Sequence, residues 1–190
     1  MSSPLIAVVL AAGGSTRFAA GPKVRAVVGG VPLVVRAIGA ALAADCFDSV
    51  LVVEGAEPLD DLVGDLGVTI VPNAQWREGQ ATSVAIAVDA AADLGARSVV
   101  IGLCDQPGVG PEAWTLVATT SAPTPIVVAE LGGVLAPPVR LDAEVWPLLP
   151  RSGDEGARSL WRGRPDLVTA VACPGSPDDI DTLEDLDAWN

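Results

Sequence analysis

The chain contains no histidine and no tyrosine. That excludes any Ser-His-Asp or Cys-His arrangement, any imidazole base and any His metal ligand. Chemistry must rest on carboxylates, Lys, Arg, hydroxyls or Cys. Basic residues are also scarce: 11 Lys and Arg face 24 Asp and Glu, a formal net charge of -13. A nucleic-acid surface needs a basic footprint, so DNA and RNA are not expected partners. The three cysteines, Cys46, Cys104 and Cys173, are far apart and show neither CxxC nor metal-ligand spacing. Each follows or interrupts an apolar stretch and reads as a buried thiol. An odd count with no signal peptide suits a reducing cytoplasm. No apolar run is long enough for a transmembrane helix, so no membrane partner is expected. The dinucleotide fingerprint G-x-G-x-x-G and the phosphate loop G-x-x-x-x-G-K-[ST] are missing after the first apolar run.

What is present reads as one globular domain, residues 1–190, with half its residues apolar. Strand-like apolar runs alternate with alanine-rich helical stretches. Strands are expected at 5–10, 49–53, 68–71, 98–103, 126–130 and 167–173. Helices are expected at 32–44, 58–66, 79–94, 111–119, 142–149, 156–161 and 182–189. Strands without polar alternation are covered on both faces. With helices between them they make a mostly parallel, doubly wound α/β sheet. Ligands in such sheets bind outside the carboxyl ends of the strands.

Three polar segments fall at those ends. Leu10-Ala11-Ala12-Gly13-Gly14-Ser15-Thr16-Arg17, followed by Lys23, closes the first strand. Small residues let backbone N–H groups approach an anion, and the two cations, with Arg25 nearby, can neutralise phosphate. A solvated loop with incidental cations fits the same spacing. Asp105-Gln106-Pro107 ends a wholly apolar strand. A carboxylate there suits Mg²⁺, which takes one or two carboxylates plus phosphate oxygens, or it simply opens a turn. Asn73 to Ser83 leads into the longest helix and either offers N–H and hydroxyl groups to a nucleoside or caps that helix, with Trp76 packed on the sheet. Two further segments lie nearer the C-terminus. Gly153-Asp154-Glu155-Gly156-Ala157-Arg158 is a tight turn that recognises a second substrate or only reverses the chain. In the acid run 178–185, Asp181 or Thr182 can cap the last helix, and Asp181 is also a second candidate metal carboxylate.

In this order the segments L-A-A-G-G-S-T-R…P-K, N-x-x-W-x-E-G-x-x-x-S, D-Q-P, G-D-E-G-A-R and D-I-D-T-x-E-D-L resemble the MobA-like nucleotidyltransferases, and most of all their molybdenum cofactor cytidylyltransferase branch. The matching segments run from Leu10 to Leu186. The resemblance implies a three-layer Rossmann-like nucleotidyltransferase fold with a mostly parallel mixed sheet. It implies transfer of a nucleoside monophosphate, CMP from CTP, to a molybdopterin-type phosphorylated acceptor with release of pyrophosphate, and a molybdoenzyme or its chaperone as a further partner. By position, Leu10, Ala11, Ala12, Gly13, Gly14 and Ser15 would line the nucleotide, and Arg17 and Lys23 would hold its triphosphate. Asn73, Gly79 and Ser83 would shape the nucleoside pocket. Asp105 and Asp181 would hold Mg²⁺, and Gln106, Asp154 and Arg158 would face the acceptor.

The chain departs from the pattern at Gly14, where many cytidylyltransferases carry a larger or charged residue. It also departs at 18–21, where Phe-Ala-Ala-Gly replaces Met/Phe-Gly, and at the apolar segment 134–138. Other assignments also fit. They are a GTP or sugar-phosphate transferase of the same fold, an NAD(P)H-dependent oxidoreductase, and a non-catalytic cofactor carrier.

Overall fold

A computed structural model describes residues 3–14, 18 and 21–190. Its main sheet has seven strands, and a second sheet has two. β1 (Leu5–Ala11) is followed by a small hairpin, β2 (Val27–Val28) and β3 (Val31–Pro32), and by α1 (Leu33–Ala43). Next come β4 (Ser49–Glu54), α2 (Asp60–Val63), β5 (Thr69–Pro72) and α3 (Gln80–Asp93). The chain continues through β6 (Ser98–Leu103), α4 (Pro111–Thr119), β7 (Ile126–Leu131) and β8 (Val134–Asp142). It ends with α5 (Arg158–Gly163), β9 (Val168–Cys173) and α6 (Leu183–Ala188).

The order across the sheet is β5-β4-β1-β6-β8-β7-β9. β8 runs against both its neighbours, and the remaining pairs are parallel. The sheet is therefore mostly parallel and mixed. Alternate residues of one strand feed two separate cores. Ala7 and Val9 pack with α1 and α4, while Ile6, Val8 and Leu10 pack with α3 and α5. This makes three layers, and it explains why β1 lacks polar alternation. Trp114, 1% exposed, anchors the first core and meets the Phe47 ring edge-on at 6.0 Å. Among the described residues no helix is long and apolar enough to cross a membrane.

Most expected elements stand within a few residues of their predicted ends. The exception is residues 134–149. The sequence reading put no strand over 134–142 and a helix over 142–149; the structure has β8 there, then a 3-10 segment at Ala143–Leu148. Pro137 and Pro138 hide the strand because neither can donate to a ladder. The register steps from Val128↔Val139 to Ala129↔Ala136, so both prolines fall in a bulge that asks nothing of them. The Arg140 guanidinium then donates to the Val117, Ala118 and Thr120 carbonyls at 3.4, 3.0 and 2.8 Å, closing the C-terminus of α4. The hairpin β2–β3 was also unpredicted; with Phe18, Leu33 and Ile180 it forms a third small core around Val28.

Candidate functional site

β1 lies between β4 and β6, so the chain leaves it in one direction and later returns on the other side. The crevice beyond their carboxyl ends is the switch point of the sheet. A cleft of about 230 Å³ opens there, lined by Lys23, Gln80, Leu103, Asp105, Asp154, Glu155, Arg158, Asp179 and Asp181. Segments far apart in sequence thus meet at one cleft.

Asp105 follows β6 by two residues, beyond the buried thiol of Cys104. Lys23 comes from a 3-10 turn at Lys23–Arg25. Its Nζ donates to Asp105 Oδ2 at 2.6 Å and to Asp181 Oδ1 at 3.0 Å. The ammonium expected at the triphosphate is therefore seated on the two carboxylates expected at the metal. Burial works against its charge, but Asp105 and Asp181 outweigh it and hold Lys23 above the ordinary lysine value. Asp181 arrives on a segment latched to the same turn: Ile180 N–H donates to the Asp105 carbonyl at 2.9 Å. Ile180 is fully buried, while Asp179 and Asp181 on either side of it line the cleft. The Asp179 carboxyl is pushed up to about 6, first by withdrawal from water, then by the charge of Asp105 and more weakly of Asp181. Thr182 caps α6, with Asp185 closing the reciprocal bond, so the capping part of the acid run is structural.

Asp154, in a turn fastened to the start of α3, and Arg158, the first residue of α5, also line the cleft. Ala81 N–H donates to the Gly153 carbonyl, and Gly153 N–H donates to the Glu78 carbonyl, both at 2.9 Å. Gly79 sits between them at φ +103, and a Cβ there would lie 2.3 Å from the Gly153 oxygen. Only glycine tolerates this crossing.

The remaining expected residues divide into three groups. Leu10, Ala11 and Ala12 are buried at the end of β1, while Gly13 and Gly14 are exposed and border a recess of about 140 Å³ with Gly21, Pro22, Ala56 and Glu57. Ser15, Thr16 and Arg17 lie outside the described residues. Asn73 and Ser83 are 2% and 4% exposed and bind each other: Asn73 Nδ2 donates to the Thr82 and Ser83 hydroxyls at 2.9 Å, and Asn73 Oδ1 accepts from Gln75 N–H at 2.9 Å. They brace the loop from within. Gln106 is 4% exposed, does not line the cleft, and donates to the Pro177 carbonyl at 3.1 Å.

Two readings need correction. Arg25 is not part of a phosphate patch: its fork is spent on Glu57, both oxygens of Asp61 and the Pro58 carbonyl. Of the thiols only Cys104 is fully buried; Cys46 and Cys173 are partly exposed. Burial lifts Cys104 well above the usual thiol range, with Asp105 adding to it, so it is no nucleophile. The sequence reading assigned no role to Gln80, Leu103, Glu155 or Asp179; the apolar residue between two acids at 179–181 was the available sign for the last. Among the described residues no group of three or more Cys, Asp or Glu is arranged to hold a metal by itself.

The sequence matches the MobA-like NTP transferase domain over residues 7–169. The chain belongs to that family. It is thus a nucleotidyltransferase of the MobA type. It is 30% identical over 191 residues to nicotine blue oxidoreductase of Paenarthrobacter nicotinovorans, covering 94% of this chain and 93% of that protein. Rv0371c of Mycobacterium tuberculosis H37Rv superposes with a TM-score of 0.78 at 26% identity, covering 99% and 98% of the two chains. A structure of Rv0371c in complex with manganese superposes at 0.73 with 23% identity, over 98% of each chain. The family's fold is the sheet described above.

Proposed function

We propose that the chain, as one catalytic unit in the cytoplasm, transfers CMP from CTP to a molybdopterin-type phosphorylated acceptor. An acceptor phosphate oxygen bonds to the α-phosphorus, the bond to the bridging oxygen breaks, and pyrophosphate leaves with the electron pair. The attacking oxygen is already anionic, so no strong base is required, which suits a protein without histidine. The observation that carries this reading is the meeting of Lys23, Asp105 and Asp181 with Asp154 and Arg158 in one cleft. Lys23 offsets charge on the departing pyrophosphate, helped by Arg17; Asp154 and Arg158 orient the acceptor.

The donor set fits Mg²⁺. Among the described residues five carboxylates (Asp105, Asp154, Glu155, Asp179 and Asp181) and two cations (Lys23 and Arg158) line the cleft, and together they repel a bare triphosphate. Asp105 and Asp181 are the residues that would hold the ion; Mg²⁺ commonly takes one or two carboxylates and completes its shell with phosphate oxygens and water. Bound there, it would neutralise phosphate charge and polarise the α-phosphoryl group. The manganese complex of Rv0371c supports a divalent ion in this fold. Asp105→Ala, checked for folding by circular dichroism, should lose Mg²⁺-dependent pyrophosphate release from CTP and acceptor. Unchanged release would remove Asp105 from the reaction.

A second reading is favoured by the similarity to nicotine blue oxidoreductase: an NAD(P)H-dependent reduction in the same cleft. Thermal stabilisation by CTP, GTP, ATP, UTP, NADH and NADPH, each with and without Mg²⁺, separates the two, since only ligands that prefer the folded state raise the melting temperature.

A further inference from the structure

Trp76 sits in a 3-10 turn at Trp76–Glu78, partly buried against the core that contains Leu10 and Val84. A Cβ built on Gly14 would lie 2.5 Å from Trp76 Cζ3 and 3.1 Å from Cη2. The indole therefore fills the room that any side chain at position 14 would need. It cannot yield cheaply: the ring is rigid, and the Arg77 guanidinium stacks over it at 4.4 Å from the centroid. Its loop is fixed from inside. Asn73 holds Gln75, Thr82 and Ser83, and the Thr82 hydroxyl donates to the Gln75 and Gly79 carbonyls at 3.2 and 2.9 Å. A Cβ on Gly55 would lie 2.5 Å from the Ala12 carbonyl oxygen, so the first loop is also confined where the loop after β4 meets it.

The geometry points to Trp76 as a positioning residue for the bound nucleotide: seated on Gly14, it sets the place of the first-loop backbone against which the triphosphate lies. This rests on the nucleotide reading above. It also gives Asn73 and Ser83 a part in binding although both are too buried to touch a ligand. They hold Trp76, and Trp76 holds the loop.

The test is titration of CTP with Mg²⁺ by calorimetry, below the melting temperature of every variant. Gly14→Ala should weaken binding about tenfold, and Trp76→Leu several-fold, because the loop backbone shifts in both. Trp76→Phe, which keeps a rigid ring but less of it, should fall between Trp76→Leu and the unaltered protein. The double variant Gly14→Ala/Trp76→Leu should bind more tightly than Gly14→Ala alone, since the second change removes the obstacle to the first. If the single variants melt lower yet bind like the unaltered protein, or if the two losses simply add, Trp76 has no positioning role. If the unaltered protein binds no triphosphate at all, the proposed reaction falls and this role with it.

Discussion

Removing the Lys23 ammonium is the sharpest test of the cleft. In Lys23→Met the stem keeps its length and apolar contacts, but Asp105 and Asp181 lose the cation between them. The side chains of Lys23, Asp105 and Asp181 are 14%, 20% and 29% exposed, neither fully buried nor on the surface. An exposed pair contributes about 0–1 kcal/mol, whereas breaking a buried one costs about 3–5 kcal/mol. A charge-assisted hydrogen bond contributes about 1.5–3 kcal/mol, and two that share one ammonium do not add in full. We therefore expect Lys23→Met to lose about 2 kcal/mol. For a chain of this size that is a fall in melting temperature of about 4–8 °C. Urea unfolding followed by circular dichroism would measure it, with the midpoint moving and the slope unchanged. The pH dependence adds a second criterion. Lys23 has a folded-state value above the ordinary 10.5, so its contribution is complete below 10.5 and is lost as pH rises through the folded value. The gap between the two proteins should hold steady from about pH 7 to 9 and narrow above about pH 10.5. Equal stability at pH 8 would refute the claim that this ammonium holds the carboxylates together.

Two further outcomes follow from the same cleft. The Asp179 carboxyl, raised from 3.8 to about 6, is protonated more readily in the folded than in the unfolded chain, so its contribution to stability is present below about 3.8 and is lost as pH rises to about 6. Asp179→Asn should gain on the unaltered protein across that window in melts taken from pH 4 to 7; a constant difference would show that Asp179 is neither withdrawn from water nor pressed by Asp105. Gly79→Ala should cost about 3 kcal/mol, since the positive φ is strained for alanine and the Gly153 carbonyl blocks the new methyl. Hydrogen exchange should quicken over residues 152–157, and a loss below about 1 kcal/mol would mean that the clasp is slack.

What was legible in the sequence depended on range. β1 and β6 are read without difficulty because a strand buried on both faces is a run of apolar residues, and this is a local property. The three polar segments after β1, β5 and β6 could be set at one sheet edge because the carboxyl ends of parallel strands point the same way. β8 was not legible, since its mark was a proline pair that argues against a ladder. The Gly132-Gly133 pair between two apolar runs was the signal for the hairpin joining it to β7.

The chemistry of the site illustrates the same limit at longer range. Lys23 and Arg25 are two residues apart in sequence and look alike as local cations. The fold gives them opposite duties, because Arg25 meets Glu57 and Asp61 beside the loop after β4, whereas Lys23 meets Asp105 and Asp181 across the sheet edge. The partners of Lys23 lie 82 and 158 residues further along the chain. No spacing rule relates such positions; the latch from Ile180 to the Asp105 carbonyl does, and it exists only once Ile180 has found the small core beside Val28 and Leu33. An apolar residue flanked by acids is thus what delivers the carboxylates. Ile180 is buried between Asp179 and Asp181, which line the cleft, so a change that empties its place in that core should disturb the site as much as removing an acid would.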